Sequence, residues 1–400
     1  MQFTLLSNAG VPNVTAELQL ANNYPYIRVF TVGQGNSSKV PFTQLASIEQ
    51  QWAVASNLSI GVGGWSAFSA VCWFTYRDVF DKLGGNVPQG LISNNWGGTP
   101  IQHWSSPAAL EKCNGGTDSI LWNAMLMPYV VGPMAVRTAI WYQGENNVGQ
   151  ASYYACQFPV MIADWRAHFP GLNTFGFVQI AGYTGYGTNG NAGDLRQAQL
   201  SPLASLNNIA FTTAIDLVYP WSSPSDVHPT YKQAVGERLS NSILVSEYGL
   251  EYPTSYPMYA GASTTTSGTT ITVTVSLNGC VGGCSVINEV IPPGVVANTT
   301  AAFTIQTNDP NKTWWNATAT PTADGKGLVL SVTAPATGFS AIASAYGRAA
   351  YPIVSAYNSE QLPVLPWCYT LDNVPCYAAN DIAVSNDMES LPTMADFATY

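Results

Sequence analysis

Four hundred residues, 46% of them hydrophobic, can bury a sizeable core and exceed what one core usually serves, which predicts two domains. Only 13 Lys and Arg stand against 23 Asp and Glu, a formal charge of −10, so no basic surface is available to neutralise a phosphate backbone and nucleic acid is not an expected partner. No run of eighteen apolar residues occurs, so no membrane-spanning helix is expected.

Short apolar runs alternate with helical patterns from residue 24 to about 215, the signature of a parallel sheet built from βαβ units. Strands are predicted at 27–32, 90–93, 136–141, 175–180 and 209–215. Phe68, Val71, Cys72, Val79, Phe80 and Leu83 recur near a 3.6 period that stops at Gly84-Gly85, which predicts a helix. A second helix is predicted over 153–169 despite Pro159, and a third opens at Pro229 with Val235, Leu239 and Ile243 on one face. Beyond about 255 the strict alternation of 270–275 and the multiplying Gly and Pro turns predict a β-sandwich. The expected division is therefore 1–254 for an α/β domain, 255–377 for the sandwich and its closing segment, and 378–400 for a frayed acidic tail.

Charged residues make up only 9%, which suits secreted, carbohydrate-handling proteins. Asn13, Asn36, Asn57, Asn298, Asn311 and Asn316 each begin an Asn-x-Ser/Thr triplet. Of seven cysteines, Cys280 with Cys284 and Cys368 with Cys376 are within reach as short-loop disulfides, Cys113 and Cys156 can form a third pair, and Cys72, in an apolar helix, is expected to be a buried thiol. No Cys or His spacing suggests a metal, and the opening residues carry no charged-then-apolar leader of the kind these sequons and cysteines call for.

In an open parallel sheet, functional groups gather on loops after the carboxyl ends of strands, and three segments qualify. The first is 94–99, where Asn95 precedes Trp96 and the pair Gly97-Gly98 lets backbone N–H groups approach a ligand oxygen; a plain tight turn is the alternative. In the second, 141–147, Gln143 can donate to an oxyanion and Glu145 can orient a histidine, although strand-end polar groups are commonly satisfied by loop backbone. In the third, Asp226-Val227-His228-Pro229 precedes a helix whose positive end favours the neutral imidazole that a general base needs, while Asp226 can equally be a helix cap. The other histidines differ: His168 reads as a surface residue, and His103, after the Gly-Gly loop, is placed to line the cleft without being the base.

Together these segments resemble the sialate O-acetylesterase family. WGGTPIQHW at 96–104 is similar to its WGGTPIE-type loop, IWYQGENN at 140–147 to its WYQGE block, and DVHPTYKQAVGERL at 226–239 to its DIHP block; NYPYIRVFTV, FPVMIADWR and AYNSEQLPVLPWCYT extend the likeness over most of the chain. The resemblance implies an SGNH-hydrolase fold, flavodoxin-like, with helices on both faces of a parallel sheet, and an acetyl ester attacked by serine while histidine moves protons. Carried over, His228 is the general base and Asp226 its orienting acid, two residues before the histidine where many SGNH enzymes place it three before. Glu145 is the alternative acid. Gln143 and the N–H groups of Gly97 and Gly98 hold the oxyanion, and the family usually has a smaller residue where His103 stands. The resemblance also implies a GQSNM-type nucleophile block ending the first, central strand, and MQFTLL reads as the continuation of that block from its methionine, so the serine and its strand are expected to be missing and the core opened; Ser7 and Ser93 are poor substitutes. The implied substrate is O-acetylated sialic acid or another acetylated glycan, with no cofactor, in a secreted or lysosomal setting. A non-catalytic relative that binds acetylated glycans, or an inactive fragment, is the competing expectation.

Overall fold

The computed structural model describes residues 11–61, 68–187, 189–218, 227–229, 231–287 and 302–381. Six strands build the α/β part: β1 (Ile27–Val32), β2 (Ile48–Val54), β3 (Gln89–Ser93), β4 (Thr138–Trp141), β5 (Thr174–Gln179) and β6 (Ile209–Thr213). They form two three-stranded sheets, β2-β1-β3 and β4-β5-β6, within which β1 runs parallel to β3 and β4, β5 and β6 run parallel to one another. The five predicted strands are all present, each end within two residues of expectation. β2 was not foreseen: it is antiparallel to β1, pairing Thr31 with Gln50, and is largely exposed, so it lacks the apolar alternation that would have marked it. Among the described residues β3 and β4 end their sheets and do not pair with each other, and residues of both line a cavity of ≈ 260 Å³.

The helix expected around 68–83 spans Ala70–Lys82, started by Ser69, whose hydroxyl accepts from the Cys72 N–H, and stopped by left-handed Gly84 and Gly85. Helix Ala151–His168 accommodates Pro159 in its middle, and Trp165 on it packs edge-on against Trp141 of β4, 5.8 Å between centroids. The third helix runs Lys232–Tyr248, three residues later than Pro229 suggested. It crosses Ala70–Lys82 so closely that a Cβ on Gly236 would lie 2.4 Å from the Phe74 Cβ and 2.9 Å from the Thr75 backbone nitrogen. Gly236→Ala is therefore expected to push the helices apart and cost about 2–3 kcal/mol in urea unfolding; a loss within 0.5 kcal/mol would mean the crossing relaxes freely.

The C-terminal region is β-rich. Two four-stranded antiparallel sheets, one holding strands Met258–Ser267, Thr270–Asn278, Thr318–Pro321 and Gly327–Thr333 and the other Phe303–Thr307, Trp314–Asn316, Ala341–Tyr346 and Trp367–Thr370, share one apolar core. Ile271, Val273 and Val275 face it, as their alternation predicts. A helix spans Cys376–Asp381, and the bond between Cys368 and Cys376 fastens its first residue to the last strand; the rest of the expected tail, 382–400, lies outside the described residues. Cys113 is bonded to Cys156 and Cys280 to Cys284, and Cys72 is a buried free thiol that burial pushes up to about 12.

Two arginines join the β-rich region to the α/β part. Arg196, fully buried in helix Asn191–Ala198, donates to the carbonyls of Ile180, Ala181, Ala349 and Ala350 at 2.8–3.1 Å. Arg348 reaches back to grip the Asp194 carboxylate with two bonds, 3.0 and 3.1 Å.

Candidate active site

At the carboxyl ends of β3 and β4 lies a cleft of ≈ 280 Å³ whose lining includes Asn95, Gly97, Gly98, Gln143, Glu145 and His228. Six of the seven residues singled out from the sequence thus share one cavity, although they come from three separated segments. The seventh, Asp226, lies outside the described residues, as do Ser225 and Ser7.

The glycine turn is built to leave its donors open. Gly98 has φ +73°, a conformation that glycine adopts without a Cβ penalty, and the space around the Gly97 and Gly98 α-carbons is empty. Thr99 closes the turn by donating to the Trp96 carbonyl at 2.7 Å, and Trp104 donates to the Thr99 hydroxyl at 2.9 Å. The N–H groups of Gly97 and Gly98 have no protein acceptor among the described residues. Two adjacent donors without a protein acceptor thus border the cleft, an arrangement that can receive a ligand oxygen. Asn95 donates to the Ser93 hydroxyl at 2.7 Å, which also accepts from the Ser69 N–H at 3.2 Å.

Gln143 is more constrained than its sequence suggested. Its amide donates to the Thr99 carbonyl at 3.2 Å and to Asn147 Oδ1 at 2.7 Å, while its oxygen accepts from the Tyr154 hydroxyl at 3.0 Å. Asn147, fully buried, also accepts from the Ile101 N–H at 2.9 Å and donates to Gln102 and Gln150. This amide network, together with the 2.8 Å bond from Asn146 to the Gly98 carbonyl, locks the glycine turn to the strand-end block. Sequence reasoning missed Asn147 and Tyr154; the consecutive amides of Glu-Asn-Asn were the only trace of the first, and the second is hidden on an apolar helix face.

Glu145 opens a short 3₁₀ turn at the cleft wall, and removal from water pushes its carboxyl up to about 7. The folded protein therefore holds a proton there that an unfolded chain releases near 4.5, so this group's contribution to stability is lost as pH rises from about 4.5 to 7. Glu145→Gln is expected to flatten that part of the stability–pH curve and to gain up to about 3 kcal/mol at pH 8, measured by urea unfolding at pH 5 and 8. An unchanged slope would show that Glu145 ionises as an ordinary surface carboxylate.

Neither of the other histidines reaches the cleft lining. His103 turns to Asp118, with 3.0 Å between Nε2 and Oδ2, and His168 bonds the Asp164 carbonyl and packs on Trp122. None of the thirteen Lys and Arg lines the cleft either: Arg28 donates to the Pro25 carbonyl, Arg137 pairs with Glu247, and Arg196 is consumed by four carbonyls. No group of three or more His, Cys, Asp or Glu suited to a metal occurs among the described residues.

An α/β part with an oxyanion-type turn, a histidine and a carboxyl in one strand-end cleft has the layout of an esterase-type hydrolase, and comparison with known proteins agrees. Residues 36–244 match the family described as carbohydrate esterase, sialic acid-specific acetylesterase. The sialate O-acetylesterases of Homo sapiens and Pongo abelii are each 30% identical over 278 residues, covering 62% of this chain and 52% of theirs. The crystal structure of a carbohydrate acetylesterase from Xanthomonas citri superposes with a TM-score of 0.74 at 26% identity, covering 92% of this chain and 78% of that one. The chain belongs to the sialic acid-specific acetylesterase family of carbohydrate esterases. It spans about half the length of the curated relatives it matches.

Proposed function

We propose that the protein is a carbohydrate O-acetylesterase of the SGNH type, hydrolysing acetyl esters on sugar hydroxyls, with O-acetylated sialic acid as its leading substrate. The observation that carries this reading is the convergence of His228, Glu145 and the open Gly97 and Gly98 donors on one cleft. A serine hydroxyl attacks the acetyl carbonyl, His228 takes its proton and passes it to the departing sugar oxygen, and water then releases acetate from the acyl-enzyme by the same route reversed. The two glycine N–H groups, with Asn95 beside them, receive the developing negative charge. Gln143 holds their turn in place, and it joins them as a donor once its longer bond, to Thr99, is released. Asp226 orients His228, with Glu145 the alternative. The α/β part up to about 254 carries this chemistry and the β-rich part to 377 braces it. A secreted or lysosomal setting fits three disulfides and the exposed sequon residues Asn13, Asn311 and Asn316.

The cleft also favours a second substrate. A sialate carboxylate is usually met by a cation, and the lining has none, so neutral acetylated glycans such as acetylated xylan are the competing class. The 400 residues contain no Gly-Gln-Ser-Asn sequence, so the assay compares the chain alone with the chain preceded by a GQSN-bearing segment. Acetate release from O-acetylated sialic acid by the serine-bearing form, abolished by Ser→Ala in that segment, is the expected result. Faster release from acetylated xylan would reassign the substrate, and retained glycan binding without any acetate release would make this a binding protein.

A further inference from the structure

A groove of ≈ 570 Å³ in the β-rich region shares no lining residue with the strand-end cleft and goes beyond the esterase reading. It lies where edge strands of the two four-stranded sheets meet: strand Trp314–Asn316 ends one sheet, strand Thr318–Pro321 ends the other, and Ala317 is the single residue between them. Its lining includes Trp314, Trp315, Asn316, Thr318, Ser331 and Thr333, and none of its lining side chains is charged. Successive side chains alternate across a strand, so Trp315 turns inward against the sandwich core, donating to the Thr307 hydroxyl at 3.0 Å, while Trp314 and exposed Asn316 stand about 7 Å apart on the outer face. Trp314 is half-buried, with the Arg348 guanidinium 5.4 Å from its ring centroid. The Trp314 indole N–H, the Asn316 amide and the hydroxyls of Ser331 and Thr333 have no hydrogen-bond partner among the described residues.

An indole beside open hydroxyl and amide groups, without any charge, suits a neutral pyranose, whose C–H face packs on an aromatic ring while its hydroxyls and acetamido group exchange hydrogen bonds around it. Asn316-Ala317-Thr318 is itself an Asn-x-Thr acceptor, so covalent attachment would put such a sugar at this place. We propose that Asn316 carries an N-linked glycan whose first N-acetylglucosamine is seated on Trp314 in this groove. In the transfer, the Asn316 amide nitrogen bonds to the anomeric carbon of a polyprenyl-diphosphate oligosaccharide and gives one proton to solvent. The bond from that carbon to the diphosphate oxygen breaks, and the polyprenyl diphosphate leaves with the electron pair. The seated sugar covers two strand edges that, left bare, invite pairing with other chains. The exposed acceptors Asn311 and Asn13 lack an aromatic neighbour two residues back: Asp309 is spent on Thr307 and Thr313, and Val11 is buried. A glycan at either stands in solvent.

The test secretes the serine-bearing form from a eukaryotic cell line and maps modified asparagines by mass spectrometry. Asn316 should be modified in most molecules, and peptide-N-glycosidase should release its glycan from the native protein at least tenfold more slowly than those at Asn311 or Asn13. Trp314→Ala should raise the Asn316 rate to that of the other sites while theirs stay unchanged, which a misfolded variant would not do. In the unmutated protein, magnetisation should pass between an isotope-labelled N-acetylglucosamine and the Trp314 indole. Release as fast as at the other sites, or no transfer to Trp314, would overturn the proposal. An unmodified Asn316 would overturn it too, and binding of free chito- or xylo-oligosaccharide by that unmodified groove would make it a receptor for carbohydrate in solution. None of these readouts uses acetate release, so this proposal and the esterase reading fail separately.

Discussion

Replacing Arg196 with alanine is expected to destabilise the protein by about 4 kcal/mol and to lower its melting temperature by roughly 8 °C. Burial lowers this guanidinium to about 10, so it stays charged at neutral pH although no carboxylate among the described residues pairs with it. Its compensation is four carbonyl oxygens, two following β5 in the α/β part and two in the loop after strand Ala341–Tyr346. Removing the side chain takes the donor from the Ile180, Ala181 and Ala349 oxygens in a dry interior, while Ala350 keeps the Tyr183 N–H at 3.0 Å, and lysine, with one ammonium in place of a planar fork, restores few of these bonds. Arg196→Lys should therefore recover less than half of the loss. Thermal and urea unfolding measure both variants. A drop under 1 kcal/mol for alanine would show that water fills the site, and that the two regions are held together chiefly elsewhere.

In the serine-bearing form of the protein, His228→Ala is expected to reduce kcat for acetyl-ester hydrolysis by at least about 10³-fold with KM little changed, because in the proposed mechanism the imidazole carries the proton from the attacking hydroxyl to the departing oxygen and does not hold the substrate in the ground state. Asp226→Asn and Glu145→Gln then separate the two candidate acids. The residue that orients His228 should cost on the order of 10³–10⁴ in kcat, since losing it frees the wrong tautomer, while the other should cost less than about tenfold. Equal, small effects of both would remove the triad reading. A His228→Ala protein retaining full turnover would remove His228 from the chemistry altogether.

Local signals were strong where a single face or loop decides structure. The five parallel strands are apolar runs, the helix Ala70–Lys82 carries its own start and stop, and the alternation of 270–275 names its buried face. β2 was illegible because Glu49, Gln50 and Gln51 sit on an exposed edge and its partner, not its pattern, makes it a strand. Six of the seven candidate residues line one cleft, yet their hydrogen-bond partners could not be read from the sequence. In sequence Gln143 reads either as an oxyanion donor or as an amide satisfied by loop backbone, and the fold shows which partners it has, the Thr99 carbonyl and Asn147. His103 likewise looks like a cleft residue by position, but the 3₁₀ turn Ile101–Trp104 rotates it toward Asp118.

The odd cysteine carries a practical consequence. A thiol as deeply enclosed as Cys72, held protonated far above neutral pH, is a poor nucleophile toward disulfides. Its three bonded pairs are thus shielded from shuffling by their own seventh member, and the purified protein should keep in air, with no reducing agent, free of covalently linked aggregates.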